Sequence, residues 1–346
     1  MNITSLTNRI LAAEPVGGNE QEVEGAAMEM MSGEATPVQM AALLTAIAAR
    51  EETPELLAAF ARVLRARALP FRRPAGPLLD TCGTGGDSSG TFNISTAAAF
   101  VAAGAGVRVA KHGNRSMTSK CGSADVLAEL GVRVDCDASV MERALEEIGI
   151  CFLFAQCYHL SMKHVAPIRK ELGFRTIFNL LGPLANPAGA SHQLLGVAVP
   201  GKTRLLADVL SLLGTEHALV VHGSDGLDEI TTTGPTFAYE IRGSNVHELT
   251  IQPQEYGISL ADPTELRGGD ASQNARMLER VLDGEPGADL DIVLLNAGAA
   301  IWVAGKAANL SDGIAAARKS IESDAAMHKL EQLVTLTSRA EQSGKP

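Results

Sequence analysis

Aromatic residues and cysteines are scarce in this sequence. Phe, Trp and Tyr make up only 4% of the chain, so Ala, Leu and Val must fill most of the core. Such a composition is typical of helix-rich and α/β proteins. The five cysteines, Cys82, Cys121, Cys136, Cys151 and Cys157, are odd in number and form no Cys-x-x-Cys pair. This pattern argues against a disulfide framework and predicts reduced thiols.

Long apolar runs are also missing. The two longest stretches without Asp, Glu, Lys or Arg, 88–107 and 176–201, carry Gly, Asn, Ser or Pro throughout. Neither resembles the roughly 20 apolar residues of a membrane span. The first residues show no basic-then-apolar signal sequence. We therefore expect a soluble cytoplasmic protein that does not contact a membrane.

Basic residues are outnumbered by acidic ones, 29 to 40, which gives a net charge of −11 and a pI near 5.3. Phosphate backbones repel such a surface on average, so no nucleic-acid partner is predicted. A small anionic ligand stays compatible, because a local site can oppose the overall sign. The hydrophobic fraction of 46% excludes wholesale disorder, and 346 residues are comfortable for two domains.

Residues 1–70 are predicted to form an all-helical lobe, because apolar residues recur there at helical spacing. Thr36-Pro37 and Thr53-Pro54 each place a capping hydroxyl before a proline and so predict two helix starts. A linker at 72–77 follows, and then short apolar runs alternate with helical stretches. This alternation predicts an α/β domain with a mainly parallel sheet. The strand candidates are 78–79, 107–110, 194–199, 218–221 and 292–295.

A glycine-rich segment follows the first strand candidate. Gly83, Gly85 and Gly86 allow backbone N–H groups to approach an anion with no Cβ in the way, and Asp87 ends the run. A helix predicted to start near Ser95 adds favourable potential for an anion. The segment is neither a Walker loop nor a dinucleotide fingerprint. A tight turn without a ligand is an equally good interpretation of this segment alone.

Two further polar segments begin a helix or follow a strand candidate. The segment 93–96, Asn-Ile-Ser-Thr, is either an ordinary helix cap or a set of groups facing a phosphate or a metal. The segment 111–119 crowds two cations, an imidazole, an amide and three hydroxyls directly after a strand candidate. A solvated basic loop is the alternative, but Lys111 suits a phosphate as a point charge. A further helix start at Ser123 offers another anion site.

An acidic pair, Asp228 and Glu229, follows the strand candidate 218–221. Adjacent carboxylates at a strand end are a common way to hold Mg²⁺, which takes its other ligands from water and substrate phosphate. A solvated acidic turn is the alternative for an isolated pair, and the phosphate-binding candidates elsewhere favour the metal. His159 and His164 lie five apart and no His-Glu-x-x-His occurs, so zinc is not indicated.

The segment 159–186 combines cations with apolar residues, Gly and Pro. A guanidinium there would bind a carboxylate while apolar walls hold a ring, so an aromatic acid is one candidate ligand. A charged helix followed by a structural turn explains the same composition, and composition alone favours that simpler interpretation.

Together these segments resemble the anthranilate phosphoribosyltransferase family over nearly the whole chain. The segments that carry the resemblance are 31–34 with Gln39, 83–87, 93–96, 111–115, 122–125, 175–179, 182–184, 225–229 and 294–298. Each motif is short, but their joint order is specific. The resemblance implies a fold like that of nucleoside phosphorylases and of this family, with helices from about 164–187 joining the lobe. The α/β domain would then comprise 71–163 and 188–346.

The same resemblance implies transfer of 5-phosphoribosyl from phosphoribosyl pyrophosphate (PRPP) to the amine of anthranilate, with release of pyrophosphate. This is the second step of tryptophan biosynthesis from chorismate. It places PRPP on Gly83, Gly86, Asp87, Thr91, Asn93, Ile94, Ser95, Thr96, Lys111, His112, Gly113, Asn114, Arg115, Ser116, Met117, Thr118, Ser119 and Ser123. It places Mg²⁺ on Ser95, Asp228 and Glu229, and anthranilate on Gly83, Asn114 and Arg169, with His112 and Tyr158 as walls. A homodimer through the helical lobe is implied, and no general base is assigned.

The sequence departs from the family pattern at several positions. Gln156 and Leu160 stand where prolines are usual, Glu51 where glycine is common, and Cys121 where serine is common. Gln156 and Leu160 border the predicted acceptor channel, and their presence leaves the shape of this channel open. Two other functions stay open: a pyrimidine nucleoside phosphorylase, against which the Asp228-Glu229 pair argues, and a catalytically silent nucleic-acid-binding relative, against which the net charge argues.

Overall fold

The computed structural model describes residues 2–16, 20–116 and 120–343, with side chains to 339. Within these ranges all five cysteines are free thiols. None of the described helices is both long enough and apolar enough to cross a membrane.

Four helices form the N-terminal lobe: α1 (Ile3–Leu11), α2 (Glu20–Ser32), α3 (Pro37–Ala48) and α4 (Pro54–Arg67). Both predicted helix starts are confirmed. The hydroxyl of Thr36 accepts from the N–H of Gln39 in a capping box, and the hydroxyl of Thr53 accepts from the N–H of Leu56. These bonds satisfy backbone donors that the first helical turn leaves free.

The larger part of the chain alternates strands and helices. Its strands are β1 (Leu79–Gly83), β2 (Val109–Gly113), β3 (Ile150–Phe154), β4 (His192–Gly196), β5 (His217–Gly223), β6 (Thr236–Arg242) and β7 (Asn245–Ile251). Its helices are α5 (Ile94–Gly104), α6 (Ser123–Glu129), α7 (Ala138–Glu147), α8 (Ala155–Tyr158), α9 (Met162–Leu172), α10 (Phe178–Leu181), α11 (Thr203–Leu212), α12 (Ala271–Leu282), α13 (Ala288–Val303), α14 (Leu310–Glu322) and α15 (Ala325–Ser343). Short 3₁₀ turns lie at Gly182–Leu184, Pro253–Tyr256 and Pro263–Leu266.

The described strands form one sheet in the order β3-β2-β1-β4-β5-β6-β7. The first five are parallel, and β6 and β7 add an antiparallel edge. A small helical lobe with a larger, mainly parallel α/β domain is therefore the confirmed fold. The chain runs outward from β1 on one side and resumes at β4 on the other, so the strand order reverses between β1 and β4. In open α/β sheets this reversal creates a crevice at the carboxyl ends of the strands.

Two large apolar clusters make up the core. One joins α5, α13 and α14 to the sheet. The other joins the N-terminal helices to α9 and α10, where Val165, Ile177 and Phe178 are buried, and to α11. The segment 162–184 therefore packs with the N-terminal helices although it follows β3 in the chain.

One strand prediction is wrong. Residues 292–295 lie inside α13, a 16-residue helix in which almost every side chain is buried. A helix buried on all sides shows no polar face, so a short apolar run within it cannot be distinguished from a buried strand by periodicity. Strands β3, β6 and β7 were not predicted, and the last two alternate exposed and buried positions only imperfectly.

Candidate active site

Two glycines lie side by side where the strand order reverses. Gly83 ends β1 and pairs in register with Gly196, which ends β4. Beyond Gly83 the loop 84–92 crosses the carboxyl end of the sheet and leads into α5. The hydroxyl and N–H of Thr84 bond to the main chain at Ala198 (3.0 Å) and Gly196 (2.9 Å). The glycine-rich segment thus lies at the crevice that the topology creates.

The acidic pair lies against this loop. The N–H of Gly85 donates to Oδ2 of Asp228 at 2.7 Å, and the N–H of Ser95, in the first turn of α5, donates to Oε1 of Glu229 at 3.2 Å. Segments more than 130 residues apart in the chain therefore meet in one site. The amino end of α5 faces a carboxylate, which its positive potential favours.

The pKa values of both carboxyls of the acidic pair are raised. Burial raises the pKa of Asp228, and the neighbouring Asp87 raises it further. Burial also raises the pKa of Glu229, with Asp228 as the next cause and Lys111 opposing it. Like charges in a partly dry site disfavour each other's ionisation. A cation bound there would relieve this repulsion.

Lys111 supplies the positive charge already present. It lies in β2, it is 3% exposed, and its Nζ donates to the carbonyl oxygen of Thr81 and to Oγ of Ser95 at 3.2 Å. Burial lowers the pKa of Lys111, whereas Asp80 raises it. Lys111 thus lies between β1 and the amino end of α5, where its positive charge can balance the charge of a phosphate.

The donor set fits Mg²⁺. Asp228, Glu229 and the Ser95 hydroxyl offer hard oxygen ligands, the kind that Mg²⁺ prefers. Within the described ranges no three His, Cys, Asp or Glu side chains form a ready-made cage. Mg²⁺ commonly uses one or two carboxylates and completes its shell with water and substrate phosphate, so two carboxylates and a hydroxyl suffice.

Asn93 does not act as an ordinary helix cap, although it occupies the N-cap position of α5. Its side chain makes no capping bond there. Its Nδ2 donates to the carbonyl oxygen of Cys121 at 3.3 Å, and its Oδ1 accepts from Nδ2 of Asn274 at 3.0 Å. The simple capping interpretation is therefore wrong for this residue. Thr96, by contrast, is buried with a hydroxyl that lacks a partner among the described residues.

The loop after β2 folds back onto the start of α6. The carbonyl oxygen of Asn114 accepts from the N–H of Ala124 and the hydroxyl of Ser123. Asp125 accepts from the N–H of Ser116 and pairs with Arg115 at 2.9 Å. The guanidinium of Arg115 is thus engaged by a carboxylate. The predicted residues Met117, Thr118 and Ser119 lie outside the described part of the chain.

Two imidazoles and a guanidinium line the side of the site nearest the helical lobe. His112 Nδ1 lies 3.2 Å from the carbonyl oxygen of Gly182, and its ring centroid lies 5.1 Å from that of His159. The Cζ atom of Arg169 lies 5.4 Å from the ring centroid of Phe178. Its guanidinium forms no hydrogen bond or ion pair with the residues that the structure describes. A half-buried, unpaired guanidinium beside an aromatic ring suits an aromatic carboxylate.

Burial keeps both imidazoles neutral. It lowers the pKa of His112 to about 3, with His159 as the second cause, and it lowers the pKa of His159 to about 4, with the main chain at Ala185 and Leu64 opposing. Neither ring is charged at neutral pH.

Tyr158 packs in the core of the α/β domain. It is 2% exposed, and its ring packs edge-on against Phe71 of the linker at a centroid distance of 6.1 Å. Its predicted role as a wall of the acceptor site is therefore not supported by its position, because its hydroxyl is enclosed among the side chains of the α/β core. Gln156, two residues earlier, instead reaches the site, and its Nε2 donates to Oδ1 of Asn114 at 3.3 Å.

Sequence reasoning missed three side chains that support the site. Asp80 is fully buried and accepts from the N–H of His112 (3.0 Å) and from Nδ2 of Asn186 (2.8 Å), which ties β1 to β2 and to the segment after α10. Arg175 donates to the carbonyl oxygen of Gly86 at 3.1 Å. Arg175 lies in the motif 175–179 and Asn186 ends the segment 159–186, and that was the available signal.

The structure gathers most of the predicted residues at one edge of the sheet. Direct contacts join the loop, α5, β2 and the acidic pair through Gly83, Asp87, Ser95, Lys111, Asp228 and Glu229. Thr91, Ile94 and Gly113 lie on the same elements, and Thr91 bridges to Arg267. No hydrogen bond joins Arg169 to Asn114 within the described residues, so the acceptor set is less tightly connected than the phosphate set.

Comparisons with known proteins cover nearly the whole chain. Residues 19–68 match a model described as glycosyl transferase family, helical bundle domain, and residues 75–327 match the glycosyl transferase family, a/b domain. The anthranilate phosphoribosyltransferase of Rubrobacter xylanophilus is 53% identical over 329 residues, which is 95% of each chain.

Solved structures agree with the sequence comparison. The crystal structure of anthranilate phosphoribosyltransferase from Thermus thermophilus superposes with a TM-score of 0.91 at 43% identity, over 96% of this chain and 99% of that one. The Saccharomyces cerevisiae enzyme in complex with PRPP and Mg gives 0.88 at 28% identity, over 97% and 98%. The same yeast enzyme has also been solved with 4-fluoroanthranilate.

Proposed function

This chain belongs to the anthranilate phosphoribosyltransferases of the glycosyl transferase family, and we propose that the crevice between β1 and β4 is its active site. The reaction is transfer of the 5-phosphoribosyl group of PRPP to the amine of anthranilate, which gives N-(5-phosphoribosyl)anthranilate and pyrophosphate. This is a step of tryptophan biosynthesis. The single observation that carries the site is the contact of Gly85 and Ser95 with Asp228 and Glu229.

The donor substrate would bind along the glycine-rich loop and the start of α5. Breaking the anomeric C–O bond builds positive charge on the ribose and negative charge on the departing diphosphate. Backbone N–H groups of the loop and Nζ of Lys111 would stabilise that negative charge, and such preorganised electrostatics are often worth several kcal/mol. We assign PRPP to Gly83, Gly86, Asp87, Thr91, Asn93, Ile94, Ser95, Thr96, Lys111, His112, Gly113, Asn114, Arg115, Ser116 and Ser123, and to the undescribed 117–119.

Mg²⁺ is the cofactor, in line with the PRPP and Mg complex of the yeast relative. When bound, it neutralises charge on the diphosphate. We assign Ser95, Asp228 and Glu229 to it. The raised pKa values of both carboxyls support this, because they mark negative charge that the protein alone does not balance.

The acceptor would bind between the sheet and the helical lobe. Arg169 would take the carboxylate of anthranilate, with Asn114 and Gly83 nearby and His112 as a wall. An aniline nitrogen is neutral at pH 7, so its attack requires orientation more than a strong base. His112 is a poor base, since its pKa is lowered to about 3. We therefore assign no general base.

The rival functions are weaker. A pyrimidine nucleoside phosphorylase uses orthophosphate and has no need of a metal chelated by diphosphate, whereas this site presents two carboxylates beside Lys111. A silent nucleic-acid-binding relative conflicts with the net charge of −11. The curated relatives favour the phosphoribosyl transfer.

We also propose a cytoplasmic homodimer that associates through the helical lobe. Large apolar side chains of this lobe are exposed, among them Val38 at 78% and Leu11 at 59%. Burying them would be favourable in a dimer. Sedimentation equilibrium of the wild type and of Val38→Glu tests this, and a wild type that is monomeric at every concentration would exclude it.

The transfer is tested by following the fluorescence of anthranilate in the presence of PRPP and Mg²⁺, with each omitted in turn. We expect consumption only when all three are present. Consumption without PRPP, or an undiminished rate after chelation of divalent cations, would overturn the proposed chemistry.

A further inference from the structure

The motif 294–298 has no role in the site described so far. It lies in the middle of α13, whose side chains are almost all buried. Asn296 is 0% exposed and is surrounded in the helix by Leu294, Leu295 and Ala297, which are also buried. A buried amide costs free energy unless its polar atoms are hydrogen-bonded. The partners of Asn296 therefore indicate what the residue does.

The amide of Asn296 binds the main chain of a single distant residue. Its Oδ1 accepts from the N–H of Ile230 at 2.9 Å, and its Nδ2 donates to the carbonyl oxygen of Ile230 at 2.8 Å. The same Nδ2 also donates to the carbonyl oxygen of Ile292, one helical turn earlier, at 2.9 Å. The amide thus forms with Ile230 both hydrogen bonds that a neighbouring strand would form. The bond to Ile292 in its own helix fixes the orientation of the amide.

Ile230 directly follows the acidic pair in the chain. Consecutive Cα atoms are about 3.8 Å apart, so a residue held on both backbone groups restricts the position of the residue before it. The segment between β5 and β6 is a loop, and Glu229 and Asp228 project from it toward α5 and the glycine-rich loop. Ile230 is itself 0% exposed, so this end of the loop is anchored in the core.

The helix that carries Asn296 is itself held firmly. A Cβ at Gly298 would lie 2.7 Å from the backbone nitrogen of Ile314, and a Cβ at Gly313 would lie 2.1 Å from the carbonyl oxygen of Gly298. These two glycines allow α13 and α14 to approach closely. The motif therefore combines a rigidly packed helix with one polar group directed at the loop.

We propose that Asn296 is a positioning residue that holds the carboxylates of Asp228 and Glu229 in the geometry that Mg²⁺ and PRPP require. The inference rests on the proposed function, since it assigns the pair to the metal. Groups that orient metal ligands typically change metal affinity by about 10- to 100-fold when they are lost. The side chain of Asn296 bonds to the main chain of Ile230 and of Ile292 in its own helix, so its effect on the acidic pair passes through Ile230.

The test is Asn296→Asp, which keeps the size and one acceptor oxygen but replaces the donor to two carbonyl oxygens. We expect the Mg²⁺ concentration for half-maximal PRPP binding, measured by titration calorimetry, to rise about 10-fold or more. The KM for anthranilate at saturating Mg²⁺ should change less than about 2-fold, and excess Mg²⁺ should restore most of kcat. A merely structural defect would not be reversed by the metal.

Ser320→Ala is the matched control. It removes another buried bond from a side chain to the main chain in the same domain, from Oγ of Ser320 to the carbonyl oxygen of Val101 at 2.8 Å. We expect it to lower the melting temperature without changing the Mg²⁺ titration. Should Asn296→Asp not fold, Asn296→Ser is measured in the same way.

The outcomes separate the inference from its premise. A wild-type Mg²⁺ titration in the folded Asn296 variant would overturn the positioning role, as would an equal shift in Ser320→Ala. If PRPP binding by the wild type does not depend on Mg²⁺, the metal assignment fails first and the inference falls with it. A shift confined to the Asn296 variant, reversed by added metal, supports both.

Discussion

The carboxylate of Asp228 occupies the space that a side chain at Gly83 would fill. A Cβ at Gly83 would lie only 2.2 Å from Oδ2 of Asp228, and a Cβ at Gly196, on the neighbouring strand, would lie 1.5 Å from the carbonyl oxygen of Asp228. The absence of a side chain at the ends of β1 and β4 therefore has a reason besides the approach of a phosphate. It admits the acidic pair to the crevice.

We expect Gly83→Ala to displace Asp228 and to reduce Mg²⁺-dependent turnover about 10²-fold or more, because contacts this short force one partner to move. The measurement is kcat/KM for PRPP as a function of Mg²⁺. The double mutant with Asp228→Ala is the control. If both changes act through one contact, the double mutant loses little more than Asp228→Ala alone, whereas independent losses would multiply.

Replacing Asp228 by Asn together with Glu229 by Gln should have opposite effects on activity and on stability. Turnover should fall about 10²-fold or more, because the amides cannot neutralise a metal. The apo protein should become more stable at pH 8. A carboxyl whose folded pKa is raised loses stability as the pH rises through that pKa, and the neutral amides do not.

Activity and thermal unfolding of the apo protein at pH 6 and pH 8 check this pair of effects. The stability gain should be larger at pH 8. A variant that loses activity and stability together would indicate general damage to the loop rather than loss of metal ligands.

Sequence patterns predicted the parts of this fold that local chemistry determines. The caps at Thr36 and Thr53 and the strand–helix alternation required no long-range information. Residues 292–295 could not be assigned correctly, because a helix buried on every side has no polar face. The motifs predicted that the proposed phosphate-binding residues lie together, since glycines and polar residues follow strands whose ends share one edge. The packing of Tyr158 against Phe71 could not be predicted, because it joins segments about 90 residues apart.

Arg169→Ala should raise the KM for anthranilate about 10-fold or more and leave PRPP binding nearly unchanged. The guanidinium has no carboxylate partner among the described residues, so an anionic acceptor is the natural one. Initial rates at varied anthranilate give the KM for the acceptor, and calorimetry gives the affinity for PRPP. Arg204→Ala is the matched control, because Arg204 also lies over an aromatic ring, Tyr239, at 5.7 Å but on α11. Equal losses for both substrates would show that Arg169 is misassigned.

His159 should make the protein less stable in acid. Its folded pKa is lowered to about 4, whereas the unfolded value is near 6.5, so the unfolded state binds the extra proton between these values. Stability attributable to the neutral ring is complete above pH 6.5 and is lost as the pH falls toward 4. Relative to that of His159→Gln, the free energy of unfolding of the wild type should fall by about 2 kcal/mol between pH 7 and pH 5.

Urea unfolding of both proteins at the two pH values gives this difference directly. Carboxyls with raised pKa values, such as Asp80, contribute with the opposite sign, but they are common to both proteins and cancel. An identical pH dependence in wild type and variant would mean that the ring titrates normally in the folded protein.

Gln156 should influence the acceptor through Asn114. Oδ1 of Asn114 accepts from the N–H of Arg115 at 2.8 Å and from Nε2 of Gln156 at 3.3 Å, which fixes the amide so that its Nδ2 is left to donate. Gln156→Glu replaces the donor by an acceptor and should favour the flipped amide, which then presents an oxygen to the substrate carboxylate. We expect a rise of about 5- to 10-fold in the KM for anthranilate, since one charge-assisted hydrogen bond is lost.

Gln156→Ala removes the contact without reversing it and should have a smaller effect. Because both side chains are exposed, neither variant should change the melting temperature much. If Gln156→Glu and Gln156→Ala have the same KM, the orientation of Asn114 does not depend on this contact.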